Sequence, residues 1–141
     1  MKRIYLIIIL LLITLTACTI TEEKSHSQVG KLKFEQTWHD FGLAMAGEKL
    51  NYTFIFKAEG GPVKITNIFT GCGCTTAELV QTEYAAGEQG EIVATVDTSD
   101  FVGMVYKEIN VEYESGEAGK VDLALMANVL KNEGKANDES E

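Results

Sequence analysis

The stretch KVDLALMANVL, residues 120–130, decides the fold class. Apolar residues occupy every second position in it, and these positions are Val121, Leu123, Leu125, Ala127 and Val129. A period of two places alternate side chains on opposite faces of a β-strand. The stretch therefore predicts a long strand with one buried face.

The same alternation recurs earlier in the chain. Residues 50–57, 92–97 and 105–114 each alternate apolar with polar side chains, which predicts three more strands. Shorter strands are expected around Phe34 and over residues 77–80.

Residues 63–69 form a less regular apolar stretch. Ile65 and Ile68 break the period of two, which indicates a β-bulge within a strand.

Glycine-containing turn sequences separate these strands, and no stretch shows a convincing helical period. The turn sequences are Gly47-Glu48, Glu59-Gly60-Gly61, Ala86-Gly87-Glu88-Gln89-Gly90 and Ser115-Gly116-Glu117. This organisation predicts an all-β domain over residues 31–130, an antiparallel β-sandwich of about seven strands.

Residues 131–141 are polar and charged without a large apolar side chain, which predicts a disordered tail.

The N-terminus has the three parts of an export signal. Met1-Lys2-Arg3 is followed by an apolar run over residues 4–13 and then by Leu15-Thr16-Ala17-Cys18. Ten apolar residues form a helix of about 15 Å, about half of a bilayer core, so the run is too short for a permanent membrane span.

Leu15-Thr16-Ala17-Cys18 resembles the bacterial lipobox. The resemblance implies a signal peptide over residues 1–17, a covalent lipid on Cys18 and a tether over residues 18–30, with no other cofactor. The alternatives are an ordinary secretory signal or an uncleaved anchor. Thr19, rather than Asp, follows the cysteine, which favours an outer membrane where the cell has one.

The charge of the chain excludes nucleic acid as a partner. The net charge is −9, and removal of Lys2 and Arg3 with the signal peptide would bring it to −11. Phosphate recognition needs a positive surface, which this composition does not provide. The acidic excess is interpreted as a source of solubility.

Four pieces of sequence carry a resemblance to a known family. They are His39-Asp40-Phe41-Gly42, Gly47-Glu48 before Tyr52-Thr53-Phe54-Ile55-Phe56, Cys72-Gly73-Cys74-Thr75, and Gly87-Glu88-Gln89-Gly90 before Val96-Asp97-Thr98. In this order and spacing they resemble the bacterial domain-of-unknown-function 1573 family.

The resemblance covers about residues 34–129. It implies an immunoglobulin-like β-sandwich, similar to domains of ciliary and sperm proteins, and it implies no established activity. Ala58 and Ala86 depart from the family pattern, where Asn and Pro are usual, and both departures concern turn rigidity.

Cys72 and Cys74 are the remaining thiols if Cys18 is lipidated, and three roles for them stay open. An exported domain meets oxidising conditions, which favour a disulfide. A bridge between residues i and i+2 is awkward in an extended chain, although a tight turn at Gly73 would permit it and could make it redox-active. Two thiolates also suit Cu(I) or Zn(II), and two small buried thiols could be purely structural.

Further metal ligands would have to come from a short set of side chains. The set comprises His26, His39, Met45, Met104, Met126 and carboxylates, and no spacing pairs them with the cysteines. The metal is therefore unknown.

The segment around His39 is interpreted structurally. His39 and Asp40 are adjacent on a strand and point to opposite faces, which argues against a catalytic pair. Asp40 is expected to stabilise a turn and Phe41 to fill the core. Trp38 is expected in the core, with a binding face as the alternative.

No catalytic motif is present in the sequence: it has no serine elbow, paired-carboxylate motif or phosphate loop. We therefore expect a non-enzymatic cell-envelope lipoprotein, anchored to a membrane on the extracytoplasmic side, whose β-sandwich binds an envelope protein partner or has a structural role. The alternative is a thiol redox or copper-binding protein that uses Cys72 and Cys74.

Overall fold

The computed structural model describes residues 29–132, so the predicted signal peptide, Cys18, His26 and most of the tether and tail lie outside the described residues. Those 104 residues contain nine β-strands: β1 (Lys31–Phe34), β2 (Trp38–Met45), β3 (Lys49–Glu59), β4 (Val63–Phe69), β5 (Thr75–Leu79), β6 (Glu83–Tyr84), β7 (Gln89–Asp97), β8 (Gly103–Glu114) and β9 (Ala118–Leu130). In this part of the chain no helix is long and apolar enough to cross a membrane.

The strands form two sheets. One has four strands in the order β1-β3-β7-β5, and the other has five in the order β2-β9-β8-β4-β6. Buried side chains from both sheets form a single main cluster between them. The predicted all-β sandwich is confirmed.

The core consists of the predicted alternating positions. Side chains that are almost fully buried include Phe54, Phe56, Ile92, Ile109, Val111, Leu123 and Leu125. Val105, Ala127 and Val129 form a second, smaller cluster at one end of the sandwich. Phe41 packs against both clusters, as predicted. Burial of a large apolar side chain contributes about 1.5–3 kcal/mol, so these stripes are the main source of stability.

The sequence did not predict β6, and it indicated β2 only as the strand that carries His39 and Asp40. β6 has only two residues, and β2 runs parallel to β9 while every other strand pair is antiparallel. The described domain thus has two more strands than the roughly seven predicted, and one of its strand pairs is parallel. The register of β2 shifts between Asp40 and Leu43, and Gly42 adopts a φ of 70° there, so the alternation that reveals a strand in sequence is interrupted.

The predicted bulge in β4 is confirmed, since its register with β8 shifts between Ile65 and Asn67. The predicted turn at Asp40 is also confirmed, because its Oδ1 accepts a hydrogen bond from the Gly42 N–H at 2.8 Å.

The prediction that Trp38 lies in the core was wrong. Trp38 pairs with Ala124 of β9, on the outer face of the five-stranded sheet, and it is 51% exposed. Its neighbour His39 faces inward instead, where its ring stacks on Tyr52 at 3.8 Å.

Thr98 ties the end of β7 to the β2–β3 turn. Its side chain is fully buried, and its Oγ1 lies 3.0 Å from the Met45 carbonyl and 2.8 Å from the Glu48 carbonyl. This contact fixes the end of β2 against the opposite sheet, because a buried hydroxyl without acceptors would be costly.

Two aromatic rings of the core pack directly against the backbone of Gly90, where a larger residue would not fit. The rings of Phe56 and Tyr84 pack edge to face with centroids 4.8 Å apart, and a Cβ on Gly90 would overlap both rings.

We expect Gly90→Ala to lower the free energy of unfolding by about 1–3 kcal/mol, because the packed rings would have to shift. Urea denaturation followed by circular dichroism measures this change. The exposed neighbour provides the control: Gln89→Ala should change stability by less than about 0.5 kcal/mol, and equal effects of the two substitutions would contradict the packing argument.

Candidate functional site

An apolar patch lies on the outer face of the five-stranded sheet. Its most exposed members are Met104 at 78%, Leu43 at 70% and Tyr106 at 60%. We define the apolar patch as Trp38, Leu43 and Met45 of β2, Met104 and Tyr106 of β8, and Met126 and Leu130 of β9. Isolated exposed apolar residues are normal in soluble proteins, but a contiguous group indicates an interaction surface.

Strand register makes the patch contiguous. Met126 pairs with Tyr106 on one side, and Met104 pairs with Asn128, which pairs in turn with Leu43. Paired residues of neighbouring strands point to the same face. The patch therefore spans three adjacent strands, β2, β9 and β8.

The methionines considered as metal ligands all belong to this patch. Met45, Met104 and Met126 lie on the sheet face, whereas Cys72 and Cys74 lie in the loop that crosses from β4 to β5 in the other sheet. The structure therefore places the methionines and the cysteines in different parts of the fold. Within residues 29–132, no three His, Cys, Asp or Glu side chains are arranged to hold a metal ion.

The open edge of β2 is covered by the chain's own side chains. The Gln36 side-chain amide donates to the Trp38 carbonyl, and the Met45 N–H donates to Glu48 Oε2 at 3.1 Å. Together with the bulge at Gly42, these contacts leave few backbone groups for an added strand. Two side chains thus occupy backbone groups along the β2 edge, whereas the apolar side chains on its outer face stay exposed.

Carboxylates dominate the remainder of the same face. The five strands present six acidic side chains and two lysines on it: Asp40, Glu83, Glu108, Glu112, Glu114 and Asp122, with Lys64 and Lys120. The outer face of the four-stranded sheet is balanced, with Lys31, Lys33, Lys49 and Lys57 against Glu59, Glu78, Glu91 and Asp97. The acidic excess of these strands is thus concentrated on the face that carries the patch.

Both lysines of this face are already paired. Lys64 Nζ lies 2.9 Å from Glu83 Oε1, and Lys120 Nζ lies 3.1 Å from Asp122 Oδ1. The hydrogen bond and charge of Glu83 raise the pKa of Lys64, and Lys64 lowers the pKa of Glu83 in return. Glu108 accepts its hydrogen bond from the amide of Asn110 rather than from a cation.

The chain joins the domain at the end opposite the patch. The Gly30 N–H donates to Ser115 Oγ at 2.5 Å, and Ser115 Oγ donates to the Pro62 carbonyl at 2.6 Å, beside the β8–β9 turn. From that turn, β9 runs through Met126 to Leu130. At about 3.3 Å per residue, the patch lies about 30 Å from Gly30.

Cys72 and Cys74 form a disulfide in the β4–β5 loop, with their Cα atoms 5.4 Å apart. The loop turns tightly, since the Cys72 N–H donates to the Thr70 carbonyl at 2.9 Å, and the Cys74 carbonyl accepts from the Asp97 N–H at 2.9 Å. Both cysteines are half-buried. A bridged pair has no thiolate, so it can bind a soft metal only after reduction.

Thr75 is the first residue of β5 and adjoins this loop; the sequence placed it next to the cysteines but indicated no role for its side chain. Its side chain is only 2% exposed, and its Oγ1 lies 3.7 Å from Cys72 Sγ and 3.8 Å from Cys74 Sγ. Its position directly after Cys74 was the available signal. The hydroxyl can donate a hydrogen bond to either sulfur.

Solved structures with this fold come from unrelated settings. A protein of unknown function from Porphyromonas gingivalis W83 is similar over 72% of this chain and 48% of its own, with 20% identity and a TM-score of 0.63. The ASH/PapD-like domain 7 of human CEP192 is similar over 83% and 96%, with 9% identity and a TM-score of 0.63. The periplasmic chaperone SfaE is similar over 70% and 57%, with 9% identity and a TM-score of 0.52.

These likenesses show the fold alone, and the chain spans about half the length of the P. gingivalis protein. No curated protein matches the sequence. The sequence profile described as "Protein of unknown function (DUF1573)" matches residues 32–129, nearly all of the described domain, and the chain therefore belongs to this family.

Proposed function

We propose that this protein is a cell-envelope lipoprotein whose β-sandwich is a non-enzymatic binding module for another envelope protein. The observation that carries the binding role is the apolar patch, which three adjacent strands hold in a fixed arrangement. Trp, Tyr and Met are enriched at protein interfaces, which supports a protein as the partner.

A groove at the β8–β9 turn end of the sandwich, away from the apolar patch, contains two side chains with shifted pKa values. This groove, about 330 Å³ in volume, is lined by Tyr84, Glu88 and Glu91 among others. Burial raises the pKa of Tyr84, and the Ala85 N–H lowers the pKa of Glu88. Neither shift brings its group toward neutral pH, where a general acid or base works best, so this groove adds no support for an acid–base role.

The position of Gly30 suits a membrane-anchored binding module. With a lipid on Cys18, the tether would enter the domain beside the β8–β9 turn, next to Ser115. The apolar patch would then lie at the end of the domain farthest from the tether, where another envelope protein can reach it.

The lipid anchor predicts a specific covalent state. We expect the native chain to begin at Cys18 and to carry two or three acyl chains, because durable attachment needs more than one. Intact-mass spectrometry of the protein isolated from its own membrane measures this. Cys18→Ser should abolish acylation, with Cys72→Ser as the matched control that leaves it unchanged. An intact Met1 or an unmodified Cys18 would refute the anchor.

The binding role predicts that partner crosslinks depend on the apolar patch. Leu43→Ser combined with Met104→Ser should remove those crosslinks, because the change deletes the two most exposed apolar contacts. Crosslinking in the native envelope, followed by immunoblotting of the protein, measures the effect. Stability should change by less than about 0.5 kcal/mol, since both side chains are exposed.

Val80→Ser is the matched control for that variant. Val80 is 85% exposed and lies outside the patch, after β5. The Val80→Ser substitution should leave every partner crosslink in place. Crosslinks that persist in the Leu43→Ser, Met104→Ser variant would contradict the proposed binding surface.

A second candidate function is thiol–disulfide exchange at Cys72 and Cys74, and the position of Thr75 favours it. A partner thiolate would attack one sulfur, forming a mixed disulfide and releasing the other as a thiolate. A second partner thiol would then complete the transfer, so that the partner is oxidised and the cysteine pair gains two electrons and two protons. The Thr75 hydroxyl would stabilise the departing thiolate, whichever sulfur leaves.

This candidate predicts a role for the Thr75 hydroxyl in the exchange rate. Thr75→Val should slow reduction of the bridge by a small dithiol about tenfold or more, since a hydrogen bond to a charged group contributes about 1.5–3 kcal/mol. Thiol counting over time measures the rate, and Thr76→Val, on the exposed side of β5, is the control. A bridge that resists reduction in the folded protein would eliminate thiol–disulfide exchange. Absence of bound copper after forced reduction would eliminate the related copper-binding role of the same two cysteines.

A further inference from the structure

We propose that the outer face of the five-stranded sheet binds an amphipathic polypeptide segment in which lysine or arginine side chains lie beside an apolar stretch. This inference rests on the proposed function, because it names the partner chemistry for the same surface.

The apolar and acidic parts of the face lie along the same strands. On β8, Tyr106 belongs to the patch, and Glu108 and Glu112 follow it on the same side. At about 3.3 Å per residue, Glu108 lies about 7 Å and Glu112 about 20 Å beyond Tyr106. Asp40 of β2 pairs with Met126, inside the patch itself. A bound segment that covers the patch therefore has carboxylates within reach of its flanking side chains.

These carboxylates have no cationic partner among residues 29–132. Glu108 and Glu112 accept from the amides of Asn110 and Asn67, and Asp40 accepts from a backbone N–H. The two lysines of the face are paired with Glu83 and Asp122. A partner with lysine or arginine side chains would supply the missing opposite charges.

Charge argues against a second copy of this chain as the occupant. Two such faces in contact would bring their carboxylates together, and like charges across an interface are unfavourable. An anionic lipid surface is disfavoured for the same reason, since the face offers no unpaired lysine to lipid phosphates.

The chain's own ends also lack the required chemistry. Residues 133–141 carry four carboxylates against one lysine, and residues 19–28 carry two carboxylates against one lysine, with Ile20 as their single large apolar residue. With residues 1–17 removed as the proposed signal peptide, neither end combines net positive charge with an apolar stretch, so the occupant is a different polypeptide.

Three of the patch side chains are methionines, which adapt their shape to a partner. Met is unbranched and polarisable, and Met-rich surfaces accept a range of apolar sequences. The face therefore selects an apolar stretch with adjacent positive charge rather than one fixed sequence.

The test uses the full chain in detergent and three synthetic peptides of about 12 residues, a length that spans the face when extended. The peptides share the same apolar residues and differ only at their flanking positions, which are lysine, glutamine or glutamate. Fluorescence anisotropy measures each dissociation constant. At about 0.05 M salt the lysine peptide should bind about tenfold more tightly than the glutamine peptide, and the difference should largely disappear at about 0.5 M salt.

Charge-neutral variants assign this preference to one face. Glu108→Gln with Glu112→Gln should reduce the lysine preference several-fold and leave glutamine-peptide binding unchanged. Glu78→Gln with Glu91→Gln makes the same charge change on the other sheet and should leave the preference intact. Leu43→Ser with Met104→Ser should weaken all three peptides.

Several outcomes would overturn the inference. One is that the three peptides bind with equal affinity, and another is that none of the three binds. A third is that the two Glu→Gln double variants, one on each sheet, reduce the preference for the lysine peptide to the same extent. Self-association through the patch, or binding of the patch to phosphatidylglycerol vesicles, would overturn it as well. In each case the patch-dependent crosslinks would still decide the proposed function separately, because that experiment does not use the peptides.

Discussion

The inner side chains of β9 hold the two sheets together and fix the register of three strands. β9 pairs with β2 on one side and with β8 on the other, and it packs Leu123, Leu125 and Val129 between the sheets. Because strand side chains alternate with a period of two, this inner stripe also fixes the outer positions of the same strand. A slip of one residue would exchange the two faces of the strand. The register that buries the apolar stripe of β9 therefore also determines which side chains form the exposed apolar patch.

The sequence predicted the parts of the fold that follow a simple burial rule. Most strands and most of the core could be identified because their apolar residues alternate, as in residues 120–130. The bulge in β4 could be identified because the alternation breaks there. The extent of β2 beyond His39 and Asp40 was not predicted, because the bulge after Asp40 interrupts its alternation and Leu43 points outward. Trp38 was misplaced for a related reason: its burial depends on the register with β9, which a single strand's sequence does not specify.

The candidate surface was less predictable than the fold. Met45, Met104 and Met126 are far apart in sequence and come together only through the pairing of three strands. The net charge was visible in the composition, yet its concentration on one sheet depends on which side of each strand faces outward. The simple attribution of the acidic excess to solubility therefore overlooked its distribution. Cys72-Gly73-Cys74 was recognisable because its residues are contiguous, whereas the contact of Thr75 with both sulfurs required the folded loop.

The location of Gly30 relative to the patch also has a mechanical consequence. A pull between these two ends acts along the strand axes, and it draws β1 lengthwise past β3, with which Leu32 and Phe34 are paired. Such a load is shared by several backbone hydrogen bonds at once, whereas a pull across a sheet breaks them one after another. If the proposed partner binds the patch, tension between it and the first strand would therefore load these hydrogen bonds together.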